Sequence, residues 1–419
     1  MSNCALIALA LSALLAPRLA AQQVLVVGGV LTPVPHFDTV QAAVDAAADG
    51  DVILIEPGLY DLQVILDDRA LVLAGLSNPA GERAGVGSLV IRNLAPSHPV
   101  VVRGLDLYPA FTGETLAVQD CDGPVLLEDV RVSEFINLGT LPSRIERSEH
   151  VVLSRCTLHG TRGTQIGVDP GFDGGTGLIV VDATVALYDS LVHGGNGAPG
   201  TFSSFGFPVP ATNGGTAMRM LAGTVLLAGT EVRGGSGGDA YLGGSPCLPP
   251  GDGNTGLEGD GLLRRLDAVI AGGAAGATAG CPPAGADGTD LAFTGTILTV
   301  PQTLRRLQIS SPIEEGGSCT LAIQGQPSEP VILLQSLAPL GTWLGGLKGT
   351  LAGAPPLAVH ALGFTGVDGS LTFDITLPGG LLPPGIEAVS FVEQAVTAAA
   401  GGGGLLSSPS SVLLVVDIP

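Results

Sequence analysis

Residues 125–132 read Val-Leu-Leu-Glu-Asp-Val-Arg-Val, and residues 151–158 read Val-Val-Leu-Ser-Arg-Cys-Thr-Leu. The outline recurs as Val-Val-Val-Arg-Gly-Leu-Asp-Leu at 100–107, Val-Ala-Leu-Tyr-Asp-Ser-Leu-Val at 185–192 and Val-Leu-Leu-Ala-Gly-Thr-Glu-Val at 225–232. Positions one and three are apolar in every copy, and positions six and eight form a second inward pair, such as Val130 with Val132 or Cys156 with Leu158. Alternation by two is the period of a strand. The parity changes between positions three and six, however, so one straight strand cannot bury both pairs. Two strands meeting at a two-residue corner can. The corners are polar or small: Arg103-Gly104, Glu128-Asp129, Ser154-Arg155, Tyr188-Asp189 and Ala228-Gly229.

A sixth copy, Leu263 to Ile270, places Arg265 where the others carry an aliphatic residue, and a one-residue slip is expected there. Three copies are preceded by a further marker, Thr176-Gly-Leu178, Thr216-Ala-Met218 or Thr255-Gly-Leu257, which supplies a third strand. Three short strands per repeat describe a solenoid coil that buries its apolar face only against its neighbours. Successive copies start 25, 26, 34, 40 and 38 residues apart, so the later coils carry insertions. These fall at one phase, after position eight, and are rich in glycine: 160–175, 194–215, 234–256 and 272–288. Insertions at a constant phase project from one face, often the binding face.

Composition agrees with stacked strands and tight turns. Of 419 residues, 64 are Gly and 31 Pro, hydrophobic residues make up 45% and aromatic ones 4%. Charged residues are only 13%, which excludes disorder driven by charge. The net charge of −21 leaves no electrostatic footprint for nucleic acid. Residues Ala5 to Ala16 form an apolar run too short to span a bilayer, followed by small residues that fit cleavage after Ala21. A signal peptide at 1–21, export to the cell surface or medium, and no membrane span are therefore expected. Five cysteines follow it, an odd count that leaves at least one thiol unpaired within the chain. Cys247 and Cys281 occupy similar depths in consecutive insertions and are expected to form a disulfide, while Cys156 reads as a small core residue.

Before the coils, Asp38-Thr-Val-Gln41 reads as a capped start for a short helix with Val40, Val44 and Ala47 on one face and Gly50 as the stop. Asp51 to Tyr60 then reads as a strand running into a Pro-Gly turn. Phe37 to Tyr60 resembles the opening segment of the pectin lyase-like superfamily of right-handed parallel β-helices, and the coil pattern extends that resemblance over roughly residues 25–300. The resemblance implies the fold of residues 22–301. It is nearly silent on activity, because that superfamily includes lyases, hydrolases, esterases and non-catalytic adhesins. From 302 to 419 seven strand-like runs separated by Gly, Pro and Ser turns predict a small antiparallel β-sandwich.

Candidate chemistry is sparse. Asp120 and Asp122, flanking Cys121, offer a carboxylate pair for acid and base roles, although Asp-x-Asp-Gly is equally an ordinary turn. His159 and Arg162 follow one coil, and His193 occupies the equivalent place in the next, so they are expected to stack with Arg233 at the root of the insertions. Phe172, His193, Asn196, Phe205 and Tyr241 are candidate ligand contacts. The phenylalanines read alternatively as a small core for the insertions. Asp169, Asp173, Asp252, Asn254 and Glu258 supply oxygens of the kind Ca²⁺ takes, though in no defined calcium motif, and no other cofactor is indicated. Two readings result. One is a non-catalytic exported protein binding a polysaccharide or cell-envelope component through the insertion face. The alternative is a carbohydrate-active lyase or hydrolase using Asp120, Asp122, His159 and Arg162.

Overall fold

The computed structural model describes residues 23–28, 37–108, 113–136, 141–166, 169–202, 207–241, 247–278, 280, 282–398 and 402–416. Three parallel sheets run the length of a right-handed β-helix. The long sheet has ten strands, from Val24–Val27 to Thr296–Val300, and is followed at each coil by the second sheet, from Gly58–Leu59 to Val269–Ala271. The third sheet runs from Val64–Asp67 to Leu291–Phe293. Val100, Val125, Val151, Val185 and Val225 pair in one continuous inward ladder, as hydrophobic stacking between coils requires. The ladder continues without a break to Leu263, and Arg265 pairs with Leu227. The expected slip therefore does not occur. Arg265 is tolerated because it is only half-buried, one coil from the open end, and donates to the Ala268 carbonyl at 3.2 Å.

The corners explain the change of parity. Their second residues, Gly104, Asp129, Arg155, Asp189 and Gly229, all take φ between 47° and 67°. That left-handed step turns the chain and lets the next strand bury the opposite parity; Asp and Gly are residues that adopt it at low cost.

Helix α1, Val40–Ala46, covers the first coil with Val40, Ala43 and Val44. Its cap is Thr39 rather than Asp38: the Thr39 hydroxyl accepts from the Ala42 N–H at 3.2 Å. The Gln41 amide closes the neighbouring strand edge by accepting from Ile65 N–H at 2.7 Å and donating to its carbonyl at 3.3 Å.

From Arg306 the chain forms a β-sandwich. A three-stranded sheet (306–309, 318–324, 370–376) faces a larger one built on Pro330–Ser336, Ala358–Phe364, Ala388–Ala398 and Ser410–Val415. The sandwich lies on the outer face of the long sheet, where Leu126, Val152 and Leu226 pack with Leu304, Val392 and Leu405. Tyr188, fully buried, accepts from Thr350 N–H at 2.8 Å and donates to the Thr350 carbonyl at 3.2 Å. Glu128 is 1% exposed and accepts from Ser410 Oγ at 3.0 Å, Ser411 N–H at 2.6 Å and the Arg155 guanidinium. Burying a carboxylate is costly unless it is paired in this way. The outer face of the long sheet is thus an internal interface.

Candidate functional site

Among the described residues the insertions are built of extended backbone. Each goes out and back as two extended segments, and the segments of successive coils lie side by side. Gly194, Gly197 and Gly200 donate to the carbonyls of Arg233, Ser236 and Asp239, and Gly234, Gly237 and Ala240 to those of Ala271, Ala274 and Ala277. Hydrogen bonds at every third residue to the neighbouring segment, with none among the described residues of one segment, are the habit of a threefold polyproline II helix. The return segments form a second layer in the same way, through Gly174, Gly214 and Gly253. The layers are stitched by a zigzag in which Gly195 donates to Gly175, Gly215 to Gly195 and Gly235 to Gly215, at 2.7–2.8 Å. A Cβ on Gly194, Gly195, Gly214, Gly215, Gly234 or Gly235 would overlap backbone atoms of an adjacent segment. Glycine is required here for close approach, so the interior of this slab is backbone rather than the phenylalanine core considered above. Phe172 and Phe207 are 43% and 58% exposed at the insertion tips. Phe202 meets Tyr241 edge to face at 5.3 Å, and Phe205 lies outside the described residues.

What the slab presents follows from its period. On the outgoing layer exposure repeats at 159, 162 and 165, at 193, 196 and 199, and at 233, 236 and 239, with the positions between them buried. His159, His193 and Arg233 are register partners, and the two imidazoles stand 5.6 Å apart. The expected stack at the root is therefore present. Beyond it, Arg162, Asn196 and Ser236 form a second row, and Gln165, Pro199 and Asp239 a third. Rows are roughly 9 Å apart along each segment and neighbours about 5 Å apart across coils. The result is a flat grid of short polar side chains. Asn196 is braced by accepting from Ser236 N–H at 3.0 Å, and Gln165 spans the tips by donating to the Pro199 and Pro210 carbonyls at 2.6 and 2.9 Å. Burial, aided by His193, lowers the His159 pKa, with Glu134 opposing.

The proposed catalytic set is not assembled. Asp120 sits at a corner before the long sheet with φ of 54°, its carboxylate held by Arg147 Nε at 2.6 Å, which lowers its pKa. Asp122 is exposed on the far side of the buried Cys121. His159 and Arg162 follow the second sheet, at the opposite corner of the coil. The carboxylates do not face the histidine, so acid and base cannot share a substrate there.

The calcium set is scattered as well. Asp173 Oδ1 accepts from Asn213 N–H at 2.8 Å, Asn213 Oδ1 from Asp252 N–H at 2.9 Å, and Asp252 Oδ1 from Ala286 N–H at 2.7 Å. This ladder of side-chain oxygens ties one return segment to the next. Asn254 donates to the Gly214 carbonyl at 2.9 Å and Glu258 pairs with Arg219 at 2.5 Å. The Asp169 side chain lies outside the described residues. Among the described residues no group of three or more His, Cys, Asp or Glu side chains could hold a metal ion.

Cys121 and Cys156 are free and buried, Cys319 is buried, and burial pushes the Cys156 thiol up to about 12. Cys247 is disulfide-bonded, whereas Cys281, its expected partner, lies outside the described residues. No described helix is long and apolar enough to cross a membrane.

No family model matches the chain, and no curated protein does. Among solved structures, the enzymatically active domain of tailspike protein 2 from bacteriophage CBA120 is similar over 88% of this chain and 72% of that one, at 10% identity and a TM-score of 0.30. A likeness this slight carries no argument about function.

Proposed function

We propose that this chain is an exported, non-catalytic β-helix protein that holds an extended carbohydrate or other envelope polymer against the flat polar face of its glycine slab. The observation that carries this reading is the grid rooted at His159, His193 and Arg233. Its rows are rigid because the backbone beneath them is hydrogen-bonded in two directions. A preorganised flat array suits a polymer with a repeat of its own, since little side-chain ordering is needed on binding. The apolar run before Ala21 supports export, and the resemblance of Phe37–Tyr60 to the pectin lyase-like superfamily supports the β-helix on which the face is built. The separation of Asp120 and Asp122 from His159 and Arg162 supports binding over cleavage. The charge of −21 points to a neutral or cationic ligand.

The test is co-sedimentation with insoluble cellulose, chitin, xylan and mannan, with the supernatants assayed for reducing sugar and for ultraviolet-absorbing unsaturated ends. Binding without release is expected; release at enzymatic rates would overturn the reading. Shortening the insertion 197–213 would unpair its neighbours on both sides, so a surface variant, Arg162→Ala with Asn196→Ala, is the cleaner probe.

A further inference from the structure

The second sheet carries a feature that neither the corners nor the slab requires: an open groove of about 450 Å³ near the N-terminal end of the solenoid. Its lining includes Leu59, Glu82, Arg83, Asp106 and Tyr108. Leu59 is 69% and Tyr108 43% exposed. The Tyr108 ring lies against Gly85, where a Cβ would come within 2.6 Å of the ring carbon Cε2 and 3.1 Å of Cδ2. Glycine at this position leaves room for the ring beside the sheet backbone. Burial and the neighbouring Asp106 carboxylate push the Tyr108 pKa up, and Arg83 Nε contacts Asp106 at 2.8 Å. The other Arg83 nitrogens reach the Asp129 carboxylate and carbonyl, each at 2.6 Å. The guanidinium is thus neutralised and locked, and its work is to fix Asp106 beside the tyrosine.

We propose that this groove is a sugar-binding subsite, with the Tyr108 ring as the stacking platform and Asp106 and Glu82 as acceptors for ring hydroxyls. An aromatic face beside fixed carboxylates complements a neutral pyranose, whose C–H face is apolar and whose rim donates hydrogen bonds. A polyanion is excluded, because the one cation in the groove is spent on two aspartates. Register supplies the link to the slab: Leu107 pairs with Val132 and Val132 with Leu158, which brings Tyr108, Ser133, His159 and His193 into one column along the axis. Tyr108 therefore stands two coils from His159, about 10 Å. A glycan lying along the axis meets both. The subsite extends the reading of the slab face and rests on it.

Calorimetry with soluble hexaoses of β-linked glucose, xylose, mannose and N-acetylglucosamine tests this on the full chain. The panel comprises wild type, Tyr108→Ala, Tyr108→Phe, Tyr108→Trp and the Arg162→Ala/Asn196→Ala variant, each with its melting curve. Tyr108→Ala is expected to weaken the bound hexaose at least tenfold with an unchanged melting curve, while Phe and Trp, which keep a ring, bind within threefold of wild type. Equal binding by wild type and Tyr108→Ala overturns the subsite even where the slab variant loses affinity. Loss in Tyr108→Ala with an unaffected slab variant keeps the subsite and removes the slab. Binding of no hexaose by the wild type overturns both.

Discussion

Gly195 donates its backbone N–H to the Gly175 carbonyl at 2.8 Å, so two insertions that start 34 residues apart in the repeat are joined backbone to backbone. The contact exists only because neither residue has a side chain: a Cβ on Gly195 would overlap the Thr161 carbonyl oxygen. The same relation repeats from Gly215 to Gly195 and from Gly235 to Gly215. The flatness of the proposed binding face follows from it.

Gly195→Ala and Gly235→Ala are accordingly expected to destabilise the protein by about 3 kcal/mol each, at the upper end of overpacking costs. Gly379→Ala, at a site with open space around the added methyl, serves as the control and is expected to be neutral. Chemical denaturation measures all three. Equal stabilities would show that the slab is not packed backbone to backbone.

The seat of the sandwich gives a second expectation. Glu128→Ala leaves Arg155 and the start of the Ser410–Val415 strand without their shared acceptor and is expected to cost about 3–5 kcal/mol. Tyr188→Phe, which removes the acceptor of the Thr350 N–H while the Thr350 carbonyl keeps Gln394 Nε2 at 3.0 Å, is expected to cost about 1–3 kcal/mol. Limited proteolysis of Glu128→Ala should release the sandwich sooner than in wild type.

Much of the β-helix is legible in the chain because each of its contacts leaves a mark on side-chain type. Val125, Val151 and Val185 announce the ladder, and Gly104, Asp129, Asp189 and Gly229 at the corners announce the left-handed turn that Arg155 takes without such a mark. The slab is harder to read, because its interactions are backbone to backbone and glycine carries no pattern of its own. Its signal is indirect: His159, Arg162 and Gln165, then His193, Asn196 and Pro199, stand three apart between small residues. Asp173 and Asp252 look like cation ligands in the sequence because an Asx oxygen that accepts a neighbouring coil's N–H is chemically the same group. Asp120 looks catalytic for a similar reason, since a corner in the left-handed region favours the residue type that an acid or base would use.

Glu393 makes stability depend on pH. It is buried in the sandwich core, where burial pushes its carboxyl up to about 8 despite the hydrogen bond from Gln335 Nε2 at 2.7 Å. The folded pKa lies above the unfolded value of about 4.3, so the unfolded chain loses this proton first and the group's contribution to stability falls as pH rises from about 4 to about 8. Glu393→Gln removes that dependence. Its stability relative to wild type is expected to improve by about 3–5 kcal/mol between pH 4 and pH 8. A constant difference across the range would mean that Glu393 is ionised in the folded protein.

The cysteines are checked by mass mapping of the non-reduced protein. A Cys247–Cys281 peptide is expected, with Cys121, Cys156 and Cys319 alkylated only after unfolding, as buried thiols should be. A bridge between Cys121 and Cys156 would contradict the register of the coils.

The most direct measurement is the affinity of wild type and of Arg162→Ala/Asn196→Ala for the insoluble polysaccharide that wild type sediments with, read at low salt and at high salt. At least a tenfold loss in the variant, little salt dependence and no release of sugar ends are expected for a neutral polymer held on a flat polar grid. Undiminished binding by the variant, or binding that salt abolishes, would contradict it.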